Sequence, residues 1–387
     1  MKILFLSENY FPNVSGVPVV VRYLAEGLAK FGHEVVLATS QYQNNPEVEV
    51  IGGVEVHRFN LVKDHFNCYH GDMKGYLNFV LSLECDVVVF ECLQCITTDL
   101  VLLHIDELKA KKILHSHGVS GLRLKLFDKK KDLVHTVANT YHYLFYKWYF
   151  NCLLPKSIKK IDKVIGLSEI DDTIGYCSKY GMKCEVLGNA VEDVFLEPTG
   201  DVKLSDISDM NMPYFLSVAY YNQIKNQIGI LREFYKSGIT DYVMVFIGPS
   251  ENEYYRNLVA ENKKLEEQYG KRKVLMLTHI DRLLIPDIIG NAKLYIVGST
   301  IEQFSIAIAE TMAKGVPFIS TNVGNARLLP GGITINSIDD IHVAMRILVA
   351  DEEKYSTLSA DGKAYVAKNC VREVVIRKLE SYINSIL

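Results

Sequence analysis

The sequence lacks any long hydrophobic run. No segment approaches the ~20 uninterrupted apolar residues that a membrane-spanning helix requires. The N-terminal MKILFLSENYF has an apolar run of only four residues, which is too short for the core of a signal peptide and is typical of a first β-strand. We therefore expect a cytosolic protein.

An excess of charge of one sign is also absent. The chain has 42 Lys and Arg against 46 Asp and Glu, and its net charge is −4. This balance excludes a global field that would recruit nucleic acid or an anionic membrane, so any basic surface must be local. We expect no nucleic-acid partner.

Metal-binding and redox motifs are scarce. Of eight scattered cysteines, only Cys92 and Cys95 have a redox-like or zinc-like spacing. No second Cys or His pair follows at a suitable distance, so reduced thiols just after a strand are the favoured interpretation. The Asp-Asp pairs at 171–172 and 339–340 open helices, where capping explains them. We expect no metal site.

Short apolar runs alternate with helix-length patterns along most of the chain. The first series runs from KILFLS to CEVLGN, and a second begins at YFLSVA (214–219) and continues to VPFIST. This rhythm indicates parallel strands joined by crossover helices. A segment rich in Asp, Ser, Gly and Pro, 197–213, separates the two series and reads as a linker.

A length of 387 residues with 49% hydrophobic residues suits two globular domains. We expect an α/β protein of two Rossmann-like, doubly wound domains that face a central cleft, with residues 1–200 forming the first and 201–370 the second. A C-terminal helix over 371–387 completes the chain, and its return to the first domain is left open.

The segment STIEQFSIAIAETMAKGVPFIS (299–320) carries two carboxylates in an otherwise core-like pattern. A helix is expected to open near Ser305, where the first N–H groups, of Ser305, Ile306 and Ala307, would bind an anion such as a diphosphate. Glu302 and Glu310 bracket this site and would bind vicinal hydroxyls, one of a sugar and one of a ribose. The alternative is a helix-start charge at Glu302 and a solvent-facing Glu310.

Gly16 offers a second anion-binding feature, in the loop ENYFPNVSGVP after the first strand. A glycine lets the backbone approach a ligand closely, and the helix start that follows offers free N–H groups. Steric demands of a first turn explain the same glycine equally well.

These segments resemble the GT-B glycosyltransferases of family 4, also called group 1 and marked by an E-x7-E element. Ser299, Glu302, Phe304 and Glu310 are in register with that element, and TMAKGVPFISTNVG follows it. The resemblance extends over nearly the whole chain, through YFPNVSGVPVVVRYLAEGLAKFGHEVVLAT, ILHSHG, VIGLSEIDD, VLGNAVEDVF and LSVAYYNQIKNQ. It implies the GT-B fold and a glycosyltransferase activity.

The resemblance also implies roles for individual residues. Glu310 would bind the ribose of a nucleotide, and Glu302 would bind the transferred sugar and support positive charge near its anomeric carbon. Lys225 would pair with the departing diphosphate. Gly16 would offer its backbone to phosphate or acceptor. The backbone amides of residues 305–307 would cradle the diphosphate.

His117 would approach the donor sugar from the first domain. His115 is an alternative, because strand alternation places both on one face. A structural role for this histidine stays open.

The implied reaction is metal-independent, retaining transfer from a UDP- or GDP-linked sugar to a carbohydrate or lipid-linked glycan, in bacterial-type polysaccharide or glycolipid assembly. No cofactor is implied.

Some positions depart from the family pattern. Tyr220 stands where an Arg is common, so a cation for the diphosphate is missing unless Arg327 or Arg282 compensates. Gln303 and Ser305 replace the usual glycines. Two alternatives stay open: a catalytically weak GT-B subunit that activates a partner transferase, which Tyr220 supports, or a nucleotide-sugar epimerase on the same scaffold.

Residues 121–160 combine basic residues with Trp148 and many Tyr and Phe. Two interpretations stay open for this stretch. It forms either a peripheral membrane surface at the inner face of the membrane that presents a lipid-linked acceptor, or a helix pair whose aromatics lie in the core.

Overall fold

The computed structural model describes residues 1–13, 16–123, 133–200, 202 and 212–387. They form two compact units, Met1–Gly188 with Glu373–Leu387, and Asn189–Arg372. Each unit contains a largely parallel sheet, so the predicted class of two Rossmann-like α/β domains is confirmed. Most of the linker predicted at 197–213 lies outside the described residues.

The sheet of the first unit has eight strands. The eight strands are β1 Lys2–Ser7, β2 Glu34–Ser40, β3 Val48–Ile51, β4 Val54–Phe59, β7 Val87–Glu91, β8 Lys111–His115, β9 Lys163–Gly166 and β10 Cys184–Val186. A separate antiparallel pair is formed by β5 Leu61–Lys63 and β6 Tyr69–Gly71. The order in the sheet is β10-β9-β8-β7-β1-β2-β4-β3, and β3 runs antiparallel to β4.

Helices cover this sheet, namely α1 Val17–Lys30, α2 Met73–Ser82, α3 Ile96–Leu102, α4 Leu133–Trp148, α5 Leu154–Ile158 and α6 Asp172–Ser178. A π-helical turn, Tyr149–Leu153, joins α4 to α5. The central strand β1 is buried from Ile3 to Leu6, which means that both of its faces are covered. This burial explains why KILFLS reads as a continuous apolar run.

The second unit has a parallel sheet of six strands, in the order β13-β12-β11-β14-β15-β16. Its strands are β11 Tyr214–Val218, β12 Val243–Gly248, β13 Val274–Thr278, β14 Leu294–Val297, β15 Phe318–Thr321 and β16 Gly332–Ile335. Its helices are α7 Gln227–Ser237, α8 Glu253–Tyr269, α9 Ile285–Gly290, α10 Ile306–Ala313, α11 Ile341–Ala350 and α12 Glu352–Asn369.

The strand order of the second unit reverses between β11 and β14. The chain builds outward from β11 through β12 to β13, and then returns to place β14 on the other side of β11. Ligands of open α/β sheets bind at the carboxyl ends of strands at such a switch point. The loops after β11 and β14 therefore lie where such a sheet binds its ligands.

The last helix, α13 Arg372–Asn384, packs mainly against the first unit. His33 Nε2 lies 2.8 Å from Glu380 Oε1, and the Tyr382 hydroxyl donates to the carbonyl of Val186 over 3.0 Å. Among the described residues, no helix has the length and hydrophobicity needed to span a membrane.

Candidate active site

The loops after β11 and β14 lie side by side and are tied together. The backbone N–H of Thr300 donates to the carbonyl of Ile224 over 2.8 Å. This bond fixes the loop that carries Lys225 against the loop that carries Ser299 and Glu302. The switch point of the second unit therefore brings together residues that are far apart in sequence.

Lys225 and Glu302 form an ion pair at this point. Lys225 Nζ lies 2.5 Å from Glu302 Oε1, and Ser299 Oγ donates to the same oxygen over 2.8 Å. The side chains are 29% and 15% exposed, so both remain accessible. The backbone N–H of Lys225 is held by Asn222 Oδ1 at 2.9 Å. The resulting small pocket extends along β14 to Ala307.

Helix α10 begins next to this pair, with Ser305 as its N-cap residue. The backbone N–H of Ser305 donates to Asn325 Oδ1 over 3.1 Å, and Asn325 is buried. The expectation that the amide of Ser305 binds an anion therefore needs correction, because that donor is already used. The amides of Ile306 and Ala307 belong to the first turn, where a helix supplies no acceptor.

The loop before Asn325 approaches the Glu302 loop closely. Gly324 has a φ of +52°, and a Cβ added there would lie 2.8 Å from the carbonyl oxygen of Gln303. Glycine is needed here both for the backbone conformation and for the close approach. This loop holds Asn325 in position against Ser305.

Glu310 lies in the second turn of α10 and is partly buried. Burial raises the pKa of its carboxyl to about 7, with a further increase from the nearby Glu192 and an opposing effect of Arg282. Arg282 itself pairs with Glu192 at 2.5 Å. Among the described residues, no side chain forms a hydrogen bond or ion pair with Glu310. The alternative of a fully solvent-facing Glu310 does not fit this environment.

Tyr295 connects the surroundings of the two carboxylates. Its buried hydroxyl donates to the carbonyl of Val218 over 2.9 Å. Burial raises the pKa of Tyr295, and the charges of Glu310 and Glu302 raise it further. Both carboxylates thus act electrostatically on the Tyr295 hydroxyl.

Tyr220, the departure that removes a cation from the family pattern, lies at the surface. Tyr220 is 68% exposed, and Arg327 is also exposed. Arg282 pairs with Glu192 and acts electrostatically on Glu310, which is the expected ribose-binding residue. Neither Arg282 nor Arg327 is therefore shown to supply the second cation that was expected beside Lys225 for the diphosphate.

His117 belongs to a buried cluster at the carboxyl edge of the first unit's sheet. Glu91, at the end of β7, and His115, at the end of β8, are register partners. Glu91 Oε2 lies 3.0 Å from His115 Nδ1 and 2.7 Å from His117 Nε2. Glu91 is 1% exposed, so this carboxylate anchors both imidazoles.

The hydrogen bond to Glu91 fixes the tautomer of neutral His117. Burial opposes ionisation of Glu91, but His115 and His117 outweigh it and lower its pKa to about 2. Burial and His115 lower the pKa of His117, against the opposing effect of Glu91. A carboxylate can only accept, so Nε2 of neutral His117 carries the proton and Nδ1 is an acceptor.

The same three residues place ligand-type atoms within 4.8 Å of one another. The hydrogen bonds to Glu91 account for that grouping, and the expectation of no metal stays a prediction. The eight cysteines, Cys92 and Cys95 included, are free thiols.

Gly16 is the N-cap residue of α1 and has a φ of +48°. A Cβ added there would meet nothing within 4 Å. The backbone conformation rather than crowding therefore favours glycine at this position. Its predicted contact with phosphate or acceptor stays a prediction, and residues 14 and 15 lie outside the described residues.

Two family models match the chain. The model for Glycosyltransferase Family 4 matches residues 14–192, and the model for Glycosyl transferases group 1 matches residues 205–364. The chain belongs to the family 4, group 1 glycosyltransferases. The resemblance stated from the sequence is confirmed.

Similar proteins agree with this assignment. A phosphatidylinositol N-acetylglucosaminyltransferase subunit of Arabidopsis thaliana is 22% identical over 356 residues, which is 87% of this chain and 70% of the relative. An uncharacterized glycosyltransferase of Methanocaldococcus jannaschii is 23% identical over 342 residues, 84% of this chain and 81% of the relative.

Solved structures show that the fold is GT-B. The sucrose-phosphate synthase of Thermosynechococcus elongatus superimposes with a TM-score of 0.72 at 15% identity and covers 100% of this chain and 98% of its own. A trehalose-6-phosphate synthase, solved in work on enzymatic glycosyltransfer with retention, has a TM-score of 0.71 at 12% identity and covers 100% and 99%.

Sequence reasoning missed several contacts of this candidate site. Asn325 binds the Ser305 amide, Glu91 anchors His117, and Glu192 acts on Glu310. Arg282, considered from the sequence only as a cation for the diphosphate, also acts on Glu310. The sequence carries no local signal for these contacts, because each partner lies at least 20 positions away along the chain. Only the position of Glu91 at the end of CDVVVFE offered a hint, since it follows a buried strand.

Proposed function

We propose that this glycosyltransferase moves a hexose from a UDP- or GDP-linked sugar to an acceptor hydroxyl, with retention of configuration and without a metal ion. The observation that carries the proposal is the contact between Lys225 and Glu302 next to the start of α10. In this proposal the nucleotide sugar is the donor substrate, and the reaction needs no cofactor.

The two charges of this ion pair suit the two parts of a nucleotide sugar that separate in the reaction, the sugar and the diphosphate. When the bond between the anomeric carbon and the phosphate oxygen breaks, the sugar gains positive charge and the diphosphate gains negative charge. Glu302 would stabilise the first and Lys225 the second. Since an ammonium group has three donors, Lys225 can bind a phosphate oxygen while it keeps its bond to Glu302.

The start of α10 supplies the rest of the diphosphate site. The amides of Ile306 and Ala307 and the positive end of the helix dipole would stabilise the leaving group, as electrostatic preorganisation does in many enzymes. These groups, with Lys225, would perform the task that a divalent cation performs in other transferases. The proposal of metal independence rests on this set of donors.

Glu310 would bind the ribose hydroxyls of the donor. Its carboxylate has no hydrogen-bond partner among the described side chains, and two hydroxyl donors would satisfy it. Because burial holds its pKa near 7, the group accepts such hydrogen bonds fully only above that pH.

We infer front-side attack as the route to retention. The acceptor oxygen forms its bond to the anomeric carbon on the face from which the phosphate oxygen leaves, and the departing phosphate takes the proton of the acceptor hydroxyl. The likeness to a synthase studied for transfer with retention supports the proposed retention of configuration. His117, neutral and held by Glu91, would accept a hydrogen bond from a substrate hydroxyl through Nδ1.

For the acceptor, we propose a carbohydrate or a lipid-linked glycan, with a role in polysaccharide or glycolipid assembly. The similarity to a phosphatidylinositol N-acetylglucosaminyltransferase subunit supports a lipid-linked acceptor.

The proposal is tested by incubating the pure protein with a panel of UDP-, GDP- and ADP-sugars, with and without EDTA. We expect slow hydrolysis of one donor that EDTA does not inhibit, with release of the nucleoside diphosphate. NMR of the product formed with an added acceptor then reports the anomeric configuration. Inversion would refute front-side attack.

Two observations favour a second candidate, a weakly active subunit that activates a partner transferase. Tyr220, exposed by 68%, stands where the family commonly has an Arg, and the Arabidopsis relative is named as a subunit. Binding of no sugar nucleotide in the same panel would favour this candidate over an enzyme.

A further inference from the structure

Four aromatic rings form a continuous row on the surface of the first unit. Phe66, in the turn between β5 and β6, and Tyr141, Phe145 and Trp148 of α4 make up this row, which we term the aromatic ladder. Successive ring centroids are separated by 6.1 Å, 6.3 Å and 6.1 Å. Phe66, Tyr141 and Trp148 are 66%, 41% and 51% exposed.

The ladder follows one side of α4. Its three helical members are spaced four and three residues apart, which places them on one helix face. Leu144, which is 58% exposed, extends this apolar face. The face is about 10 Å long from Tyr141 to Trp148 at the rise of an α-helix.

Other aromatic residues supply the contacts of this region with the core. Tyr149 and Phe150 are 2% and 3% exposed, and the Tyr149 hydroxyl donates to buried Asp99 Oδ1 over 2.6 Å. The sequence interpretation of aromatics in a core therefore holds for these two residues. It leaves the exposed ladder unexplained.

Hydrogen bonds hold the ladder in place. The Tyr141 hydroxyl donates to the carbonyl of Phe66 over 2.7 Å, and the Tyr146 hydroxyl donates to Asn67 Oδ1 over 3.2 Å. Asn67 Nδ2 also lies 3.1 Å from His142 Nδ1. The turn that carries Phe66 is thus fixed to α4, which lowers the entropy cost of binding through this face.

The stretch of chain that carries most of the ladder is strongly basic in a protein that is negative as a whole. Residues 121–160 contain nine Lys and Arg against two Asp and no Glu, whereas the entire chain has a net charge of −4. Within α4 itself, Lys147 is exposed and the sequence has no acidic residue. Basic and aromatic residues together are typical of surfaces that bind anionic lipid headgroups.

We propose that the aromatic ladder inserts into the interfacial region of an anionic phospholipid bilayer. Tyr and Trp prefer that region because their rings are apolar and their polar atoms remain hydrated. Among the described basic residues of this stretch, Lys147 is exposed next to Trp148 and supplies attraction to the headgroups. The inference rests on the proposed function only in that a lipid-linked acceptor would give such docking its purpose.

Trp148 is the only tryptophan of the chain, so its fluorescence reports directly on the ladder. The full-length protein is titrated with vesicles of phosphatidylcholine alone or of phosphatidylcholine mixed with phosphatidylglycerol. We expect a blue shift of the emission, and quenching by brominated lipid, with the anionic vesicles only. An unchanged spectrum with both kinds of vesicle, or an equal shift with both, would overturn the assignment.

Two variants locate the contact. We expect Leu144→Glu and Phe66→Glu each to weaken vesicle binding by about tenfold or more, while Val343→Glu, a matched change at a 46% exposed position of α11, leaves it unchanged. Two variants are used so that the test survives if one of them fails to fold. Wild-type binding by both would refute the ladder as the docking site, and so would ladder-dependent self-association without vesicle binding.

Hydrolysis of the donor in solution separates this inference from the proposed function. The Leu144→Glu and Phe66→Glu variants should hydrolyse the sugar nucleotide at the wild-type rate. Vesicle binding without any nucleotide-sugar binding would remove the proposed function alone. Hydrolysis without vesicle binding would remove the ladder inference alone.

Discussion

Lys225 Nζ lies 2.5 Å from Glu302 Oε1, and this ion pair joins the loops that follow two neighbouring strands, β11 and β14. The pair is partly accessible, so its net contribution to stability is expected to be no more than about 1 kcal/mol. Its position at the switch point of the sheet suits function better than stability, because that is where ligands of such sheets bind.

We expect Lys225→Ala to lower kcat by about 10²–10³-fold, as removal of an oxyanion donor does. Donor affinity should fall much less, because the lysine interacts most strongly with the charge that develops on the departing diphosphate. Initial rates and calorimetric Kd values for the same donor check this. Lys264→Ala, at an exposed position of α8, serves as a control that should keep both values. A loss of donor affinity with kcat unchanged would mean that Lys225 binds ground and transition states alike.

Glu310→Ala should abolish nucleotide-sugar binding without unfolding the second unit. The pH dependence of binding adds a sharper test. Because burial raises the pKa of Glu310 to about 7, donor affinity should fall about tenfold for each pH unit below that value. Glu310→Gln should remove this dependence. Calorimetry between pH 5.5 and 8.5 (a range of about three pH units) measures both, and unchanged affinity of the alanine variant would refute the ribose role.

The same carboxyl should make the second unit less stable as the pH rises. Its pKa is about 7 in the folded state and 4.5 without burial, so the folded state holds more protons between these values. The stability that the protonated form contributes is complete below pH 4.5 and is lost as the pH rises through 7. The cost of ionisation reaches up to about 3 kcal/mol.

Glu310→Gln should therefore be more stable than the wild type at high pH, since it has no carboxylate to ionise. Denaturant unfolding of the two proteins on either side of neutral pH gives the difference. If the difference in the free energy of unfolding between Glu310→Gln and the wild type does not increase with pH, the raised pKa of Glu310 is contradicted.

Glu91→Gln should lower kcat and move the acid limb of the pH profile of kcat to lower pH, when kcat is measured with saturating donor so that the titration of Glu310 does not set the limb. Glu91 opposes the effect of burial on His117, so its loss lowers the pKa of that histidine further. A purely structural role would reduce activity without moving the limb. If the buried Glu91 variant does not fold, His117→Gln tests the same point, because the acid limb should then disappear.

Regular elements were predictable because their signals are local. KILFLS coincides with β1, and the helix expected near Ser305 begins at Ile306. Strands β3 and β16 were not predicted. Both lie at the edges of their sheets and are mostly exposed or half-buried, so they lack the continuous apolar run from which the inner strands were predicted.

Only those residues of the candidate site that belong to a sequence motif could be predicted. The E-x7-E element indicated Glu302 and Glu310, but the capture of the Ser305 amide by Asn325 depends on a loop 20 residues later that Gly324 brings close. The anchoring of His117 by Glu91 depends on the pairing of β7 with β8. Such contacts arise from tertiary structure, and no local pattern encodes them.

The most direct test of the central claim is a crystal structure of the protein with a non-hydrolysable UDP- or GDP-sugar. We predict diphosphate oxygens within hydrogen-bond distance of Lys225 Nζ and of the amides of Ile306 and Ala307, with the ribose hydroxyls on Glu310. A nucleotide bound away from α10, or one whose ribose lies apart from Glu310, would contradict the account.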